Sequence, residues 1–175
     1  DAQKLLVSFY TMRNIVRDGG AQDIAALQQL NYTTGSGGYT NSTTPSIWPS
    51  KGVITSPYGS RVDPVTGAAS AFHEGVDIAD DYGTPIVATA AGTVTFAGYT
   101  EGGYGNLVEI DHGNGFVTRY GHNSAVLVTP GMTVKQGQVI AVMGSTGKST
   151  GAHVHYEVRI NGSAVDPMVF LPISN

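Results

Sequence analysis

The stretch Ala152-His153-Val154-His155-Tyr156-Glu157-Val158-Arg159-Ile160 alternates between two kinds of side chain. In an extended strand successive side chains point to opposite faces. His153, His155, Glu157 and Arg159 therefore share one face, and Val154, Tyr156, Val158 and Ile160 share the other. An apolar face of this kind lies on a core, and the opposite face carries two imidazoles one strand repeat apart. Such a pair can face a single ion, or one ring can bind the ion while the other faces a bound water. A half-exposed strand that merely happens to carry two histidines is the competing reading.

Working outward, the same pattern recurs in short runs separated by Gly, Asn and Pro: Gly92–Tyr99, Asn106–Asp111, Phe116–His122 and Gln138–Met143. Asn114-Gly115 between two of these runs is a hairpin signal, because both turn positions want φ above zero, and Asn161-Gly162 suggests another. Glycine, at 24 of 175 residues, points the same way, toward many tight turns. The expected fold is mainly β, a compact antiparallel β-sheet core. Ahead of it, Leu5, Phe9, Met12 and Val16 recur at helical spacing, so residues 1–32 read as a helical arm. Residues 33–50 are rich in Thr, Ser, Gly, Asn and Pro and read as a flexible linker, which leaves residues 51–175 as the main domain.

Composition removes several functions. Nine basic side chains against 13 acidic give a net charge of −4, with no basic stripe for a nucleic-acid backbone. No apolar run approaches the ~20 residues that span a bilayer. The chain opens at Asp1 rather than Met, which reads as a trimmed product with room for a removed export signal or membrane anchor upstream. Cysteine is absent, so a metal would have to be held by His, Asp and Glu.

Only five histidines exist. His73-Glu74-Gly75-Val76-Asp77 superficially resembles the helical zinc-protease pattern His-Glu-x-x-His. Gly75 and the β-branched Val76 and Ile78 argue against a helix. A loop leading into a strand fits better, with His73 and Asp77 free to ligate and Glu74 pointing elsewhere. Two neutral imidazoles and one carboxylate would leave a zinc ion a net charge of +1 and an open position, the pattern of a catalytic site. A proton acceptor and an oxyanion partner are then needed, and His122 and His153 are the candidates. His112, beside a hairpin turn, reads as exposed and not a ligand.

His73-x-x-x-Asp77, Tyr120-Gly121-His122 and the run Gly144–His155, in that order, resemble the lysostaphin/LytM-type zinc metallopeptidases of peptidase family M23. Tyr58–Pro64, Gly83–Ala88 and Gly131–Gln138 support the match, which covers about residues 50–172. Ala152 and Val154 stand where Pro and Leu are usual. The resemblance implies a duplicated-hybrid-motif β fold with an active-site groove, and one Zn²⁺ held by His73, Asp77 and His155. It implies that His122 and His153 flank the water and the scissile carbonyl. The implied activity is endopeptidase cleavage of peptidoglycan cross-links or stems, at an extracytoplasmic location. An inert peptidoglycan-binding or amidase-activating protein of the same fold is the alternative.

Around this set, Glu157 is a candidate outer partner for a ligand imidazole, an exposed pair with Arg159 being the other reading. Tyr104 is a candidate groove residue or a loop aromatic capping the sheet. Thr150 belongs to a turn and could touch substrate, and Arg61, in Arg61-Val62-Asp63-Pro64, resembles the members that cut direct cross-links. A further idea places the first fifty residues over the groove, with Asn31 or Asn41 toward the open metal position; a plain spacer is the simpler alternative.

Overall fold

The computed structural model describes residues 39–60 and 72–173. The helical arm expected at 1–32 lies outside them, as do Asn31 and Arg61.

Among the described residues ten strands form one antiparallel sheet: β1 (Val53–Ser56), β2 (Val76–Ala79), β3 (Pro85–Val87), β4 (Gly92–Thr100), β5 (Gly105–Gly113), β6 (Phe116–Val126), β7 (Thr133–Val134), β8 (Val139–Met143), β9 (His153–Ile160) and β10 (Ser163–Val165). The main path runs β1-β2-β9-β6-β5-β4-β7, with β10 on β9 and with β8 between β6 and β3. Both expected hairpins form. Asn114 and Gly115 have φ of 54° and 84°, and Asn161 and Gly162 have 50° and 86°. These left-handed pairs match the twist of the strands they join.

The period-two reading of β9 holds in its centre. Val154, Tyr156 and Val158 are fully buried and join Val76, Ile78, Val108, Ile110 and Tyr120 in the core, while Ile160 near the hairpin is only partly covered. Register then places the opposite face. Asp77 on β2 pairs with His155 on β9, and Gly121 on β6 pairs with His155 from the other side. One row across three adjacent strands thus carries the carboxylate, the imidazole and a glycine.

Two expectations are revised. His112 is buried, not exposed: Nδ1–H donates to the Ala91 carbonyl (2.9 Å) and Nε2 accepts from Thr118 Oγ1 (2.7 Å). It ends a polar chain through the core in which the Tyr156 hydroxyl donates to Thr89 Oγ1 (2.7 Å), Thr89 to Tyr120 (3.0 Å), and Tyr120 to Thr118 (2.8 Å). Every hydroxyl finds a partner when the donors all run this way, so the chain is tolerated in an apolar interior. Secondly, the described part of the expected linker, residues 39–50, is tied to the domain. Thr40 exchanges backbone hydrogen bonds with Gln136 (3.1 and 2.9 Å), whose buried amide also reaches Thr44, Ser46 and Thr89. Trp48 packs against the core. Composition read as a linker because Ser, Thr and Pro carry little apolar surface; backbone hydrogen bonds at Thr40, Ser42 and Pro49 and the burial of Pro45, Pro49 and Ser50 hold the segment.

Candidate metal and catalytic site

His73 enters the site from the segment before β2. Its backbone exchanges two hydrogen bonds with Gly59, each 2.9 Å. Gly75 then lets the chain press against β9: a Cβ there would lie 2.3 Å from the Tyr156 carbonyl oxygen. Two residues later Asp77 faces His155 across the β2–β9 ladder. His73, Asp77 and His155 offer donor atoms that all lie within 4.8 Å of one another. His73 Nε2 is 3.4 Å from Asp77 Oδ2, and His155 Nδ1 is 2.9 Å from Asp77 Oδ1. These are the three that the resemblance implied as a set, and the fold brings their side chains together.

The hydrogen bonds say which nitrogen of each ring faces the site. His73 Nδ1–H donates to the Pro57 carbonyl (2.8 Å), His122 Nδ1–H to that of Thr146 (2.7 Å), and His153 Nδ1–H to that of Gly151 (2.8 Å). A carbonyl can only accept, so each ring keeps its proton on Nδ1 and presents Nε2. His155 is turned the other way. Its Nε2 is 2.9 Å from Glu157 Oε1, and its Nδ1 faces Asp77. The three donors, two imidazoles and a carboxylate, fit a zinc ion with a further position for solvent or substrate.

Charge is strongly coupled here. Burial works against an ionised Asp77, yet the flanking His155 and His73 imidazoles hold its carboxyl far below the usual range. Burial also disfavours a charged His155, but the bonds to Asp77 and Glu157 outweigh it and raise its pKa to about 9. Glu157 is 1% exposed; burial opposes its charge, and His155, Tyr104 and Arg159 bring its pKa down to about 2. His122 moves downward, chiefly through burial, with His153 and His155 repelling a second positive charge nearby. Its backbone is left-handed (φ 66°), uncommon for a residue with a side chain. Its N–H donates to the Tyr104 carbonyl (2.6 Å). His122 and His153 rings lie 4.6 Å apart.

These side chains line a groove of about 490 Å³ that also takes in Phe72, Tyr104, Lys148 and Thr150. Thr150 is exposed on its wall. Tyr104 lines the groove, but its hydroxyl donates to Glu157 Oε1 (2.6 Å), a link between residues 53 apart that no spacing in the sequence signals. Glu157 is paired with Arg159 (2.9 Å) and also with His155, so both earlier readings of it meet in one residue, although it is buried rather than exposed. Glu74 is turned out to Arg159 (2.8 Å). Asn41 is exposed and is not among the groove residues. Phe72, Lys148 and the carbonyls of Pro57, Thr146 and Gly151 were missed, because backbone acceptors leave no signature in side-chain identity.

The family model of Peptidase family M23 matches residues 71–167, more than half of the chain. Over 120 residues the chain is 49% identical to the DD-carboxypeptidase/endopeptidase Mpg of Neisseria meningitidis, covering 68% of this chain and 27% of that protein. Over 125 residues it is 40% identical to the murein hydrolase activator NlpD of Escherichia coli, covering 71% and 31%. The chain thus spans about a quarter to a third of the length of these relatives. A zinc-containing peptidase from Vibrio cholerae superposes with a TM-score of 0.64 at 38% identity, covering 69% of this chain and 38% of that one. The catalytic domain of lysostaphin from Staphylococcus simulans superposes with a TM-score of 0.61 at 34% identity, covering 67% and 90%. With this sheet, this groove and this match, the chain belongs to peptidase family M23.

Proposed function

We propose that the protein is a zinc-dependent endopeptidase that hydrolyses peptide bonds in peptidoglycan stems or cross-links, outside the cytoplasm. The observation that carries this reading is the convergence of five side chains on one groove. His73, Asp77 and His155 would hold the ion, with His122 and His153 beside them. Zinc, when bound, supplies a Lewis acid that polarises the scissile carbonyl and makes water a nucleophile at neutral pH.

The remaining work falls to this chain's own residues. His122 presents an Nε2 kept unprotonated, because its proton is committed to the Thr146 carbonyl and burial disfavours a second one. It is the better placed to accept a proton from water. His153, also anchored through Nδ1, stands opposite and steadies the charge that develops on the carbonyl oxygen. The groove walls, with Thr150 on one side, orient the peptide. Arg61 remains a candidate substrate contact by its sequence context. The names of the M23 relatives, a carboxypeptidase/endopeptidase and a murein hydrolase activator, support a peptidoglycan peptide as substrate.

The likeness to NlpD keeps a second reading in view, a protein that activates a wall hydrolase instead of cutting. Zinc-loaded protein and His155→Ala are incubated with peptidoglycan of several cross-link types, and the products are weighed by mass spectrometry. New peptide termini from the wild type only, lost on chelation, support the endopeptidase. Intact peptides together with enhanced cleavage by an added amidase would establish the second reading instead.

A further inference from the structure

His155 is the one ring of the four at the groove whose outward nitrogen is Nε2, and the one whose anchor is a carboxylate instead of a backbone carbonyl. Glu157 lies two residues further along the same face of β9. Its carboxylate has no proton to give, so it can only accept from His155 Nε2–H. With Nε2–H committed to Glu157, Nδ1 is the nitrogen left for a metal: without one, Nδ1–H donates to Asp77 in turn, and a bound ion takes the place of that proton.

Glu157 is itself held on every side. Tyr104 donates to Oε1 (2.6 Å), the oxygen that also meets His155, and Arg159 Nε donates to Oε2 (2.9 Å). Arg119, opposite Glu157 in the β6–β9 register, lies 3.8 Å from Oε2 and donates to Tyr104 (3.3 Å) and to Glu109 (2.7 Å). A ladder of alternating charge, Glu109–Arg119–Glu157–Arg159–Glu74, crosses the sheet and meets the site at His155. Gly121 makes room for it: a Cβ there would lie 3.1 Å from the Tyr104 ring.

Resting on the zinc reading above, we infer that Glu157 is a positioning residue that selects the Nδ1-presenting tautomer of His155, and that Tyr104 locks Glu157 in place. Tyr104 then serves the metal site from behind, and not only the substrate from the front. Glutamine at 157 cannot reproduce this. With its carbonyl toward His155 and Tyr104, its NH₂ confronts the Arg159 N–H; flipped, the NH₂ confronts His155 and demands the opposite tautomer. Either way the site also loses one negative charge beside the cation.

The test titrates the full chain with zinc against a chromophoric chelator, for the wild type, His155→Ala, Glu157→Gln and Tyr104→Phe. Long-range ¹H–¹⁵N spectra of the zinc-loaded proteins read which imidazole nitrogen carries the proton. The wild type shows His155 protonated at Nε2 and metal-bound at Nδ1. Glu157→Gln binds zinc about 10- to 100-fold more weakly and loses that signature, while the His73 pattern persists. Tyr104→Phe, which keeps the ring, weakens zinc by about 3- to 10-fold, and it carries the test if Glu157→Gln does not fold. Affinity within about twofold of wild type with an unchanged His155 signature, in Glu157→Gln or failing that in Tyr104→Phe, overturns the inference. If His155→Ala binds zinc as tightly as the wild type, the metal reading itself is wrong and this inference falls with it.

Discussion

Lowering the pH from about 9 to about 7 should weaken zinc binding about 50-fold. His155 touches a carboxylate at each nitrogen, Asp77 at Nδ1 and Glu157 at Nε2, both at 2.9 Å. Those bonds more than offset its burial and lift its pKa to about 9. A metal needs Nδ1 unprotonated, so each pH unit well below that value costs about tenfold, or about 1.4 kcal/mol. Starting from a half-deprotonated ring at about pH 9, the fall to about pH 7 amounts to about 2.3 kcal/mol. Asp77 adds nothing in this window, since it stays ionised throughout. The sign for the fold is opposite. A folded pKa above the ordinary 6.5 stabilises the metal-free protein fully below about 6.5, and that contribution disappears as the pH rises through about 9. The metal-free fold is thus helped most where zinc is held least. Chelator competition between about pH 6 and 10 measures the slope, and calorimetry in buffers of different ionisation heat counts the protons released, close to one per zinc near pH 7. A flat affinity between pH 7 and 9, or binding without proton release, would refute the coupling.

Further outcomes follow from packing. Gly75→Ala places a methyl 2.3 Å from the Tyr156 carbonyl, so β2 and β9 must separate; about 1–3 kcal/mol of stability is lost in thermal unfolding. Zinc affinity falls in the same variant, because Asp77 rides on β2 and His155 on β9. His112→Phe strands the Ala91 carbonyl and the Thr118 hydroxyl, costing about 2–4 kcal/mol in denaturant unfolding near pH 7. Burial lowers the folded pKa of His112, so its contribution is present above about 6.5 and fades as the pH falls toward the folded value. The gap between wild type and His112→Phe should therefore narrow toward pH 5.

What the chain alone disclosed was local. The alternation across Val154, Tyr156 and Val158 and the two Asn-Gly turns declared themselves because a strand face and a left-handed turn are each decided within a few residues. The grouping of His73 and Asp77 with His155 required the resemblance as well, since nothing in their spacing sets the β2–β9 register. His112 was misjudged because its partners, Ala91 and Thr118, arrive through tertiary packing. The Tyr104–Glu157 bond and the docking of residues 39–50 on Gln136 were hidden for the same reason. Short strands such as β3, β7 and β10 hold two or three residues each, too few to show a period.

The proposed function requires that three side chains, from β2, β9 and the segment before β2, share one ion. Crystals of the full chain grown with zinc, measured across the zinc absorption edge, test it most directly. One strong anomalous peak is expected at bonding distance from His73, Asp77 and His155, meeting His155 at Nδ1. A peak held by other side chains, or none at this groove under zinc saturation, would contradict it.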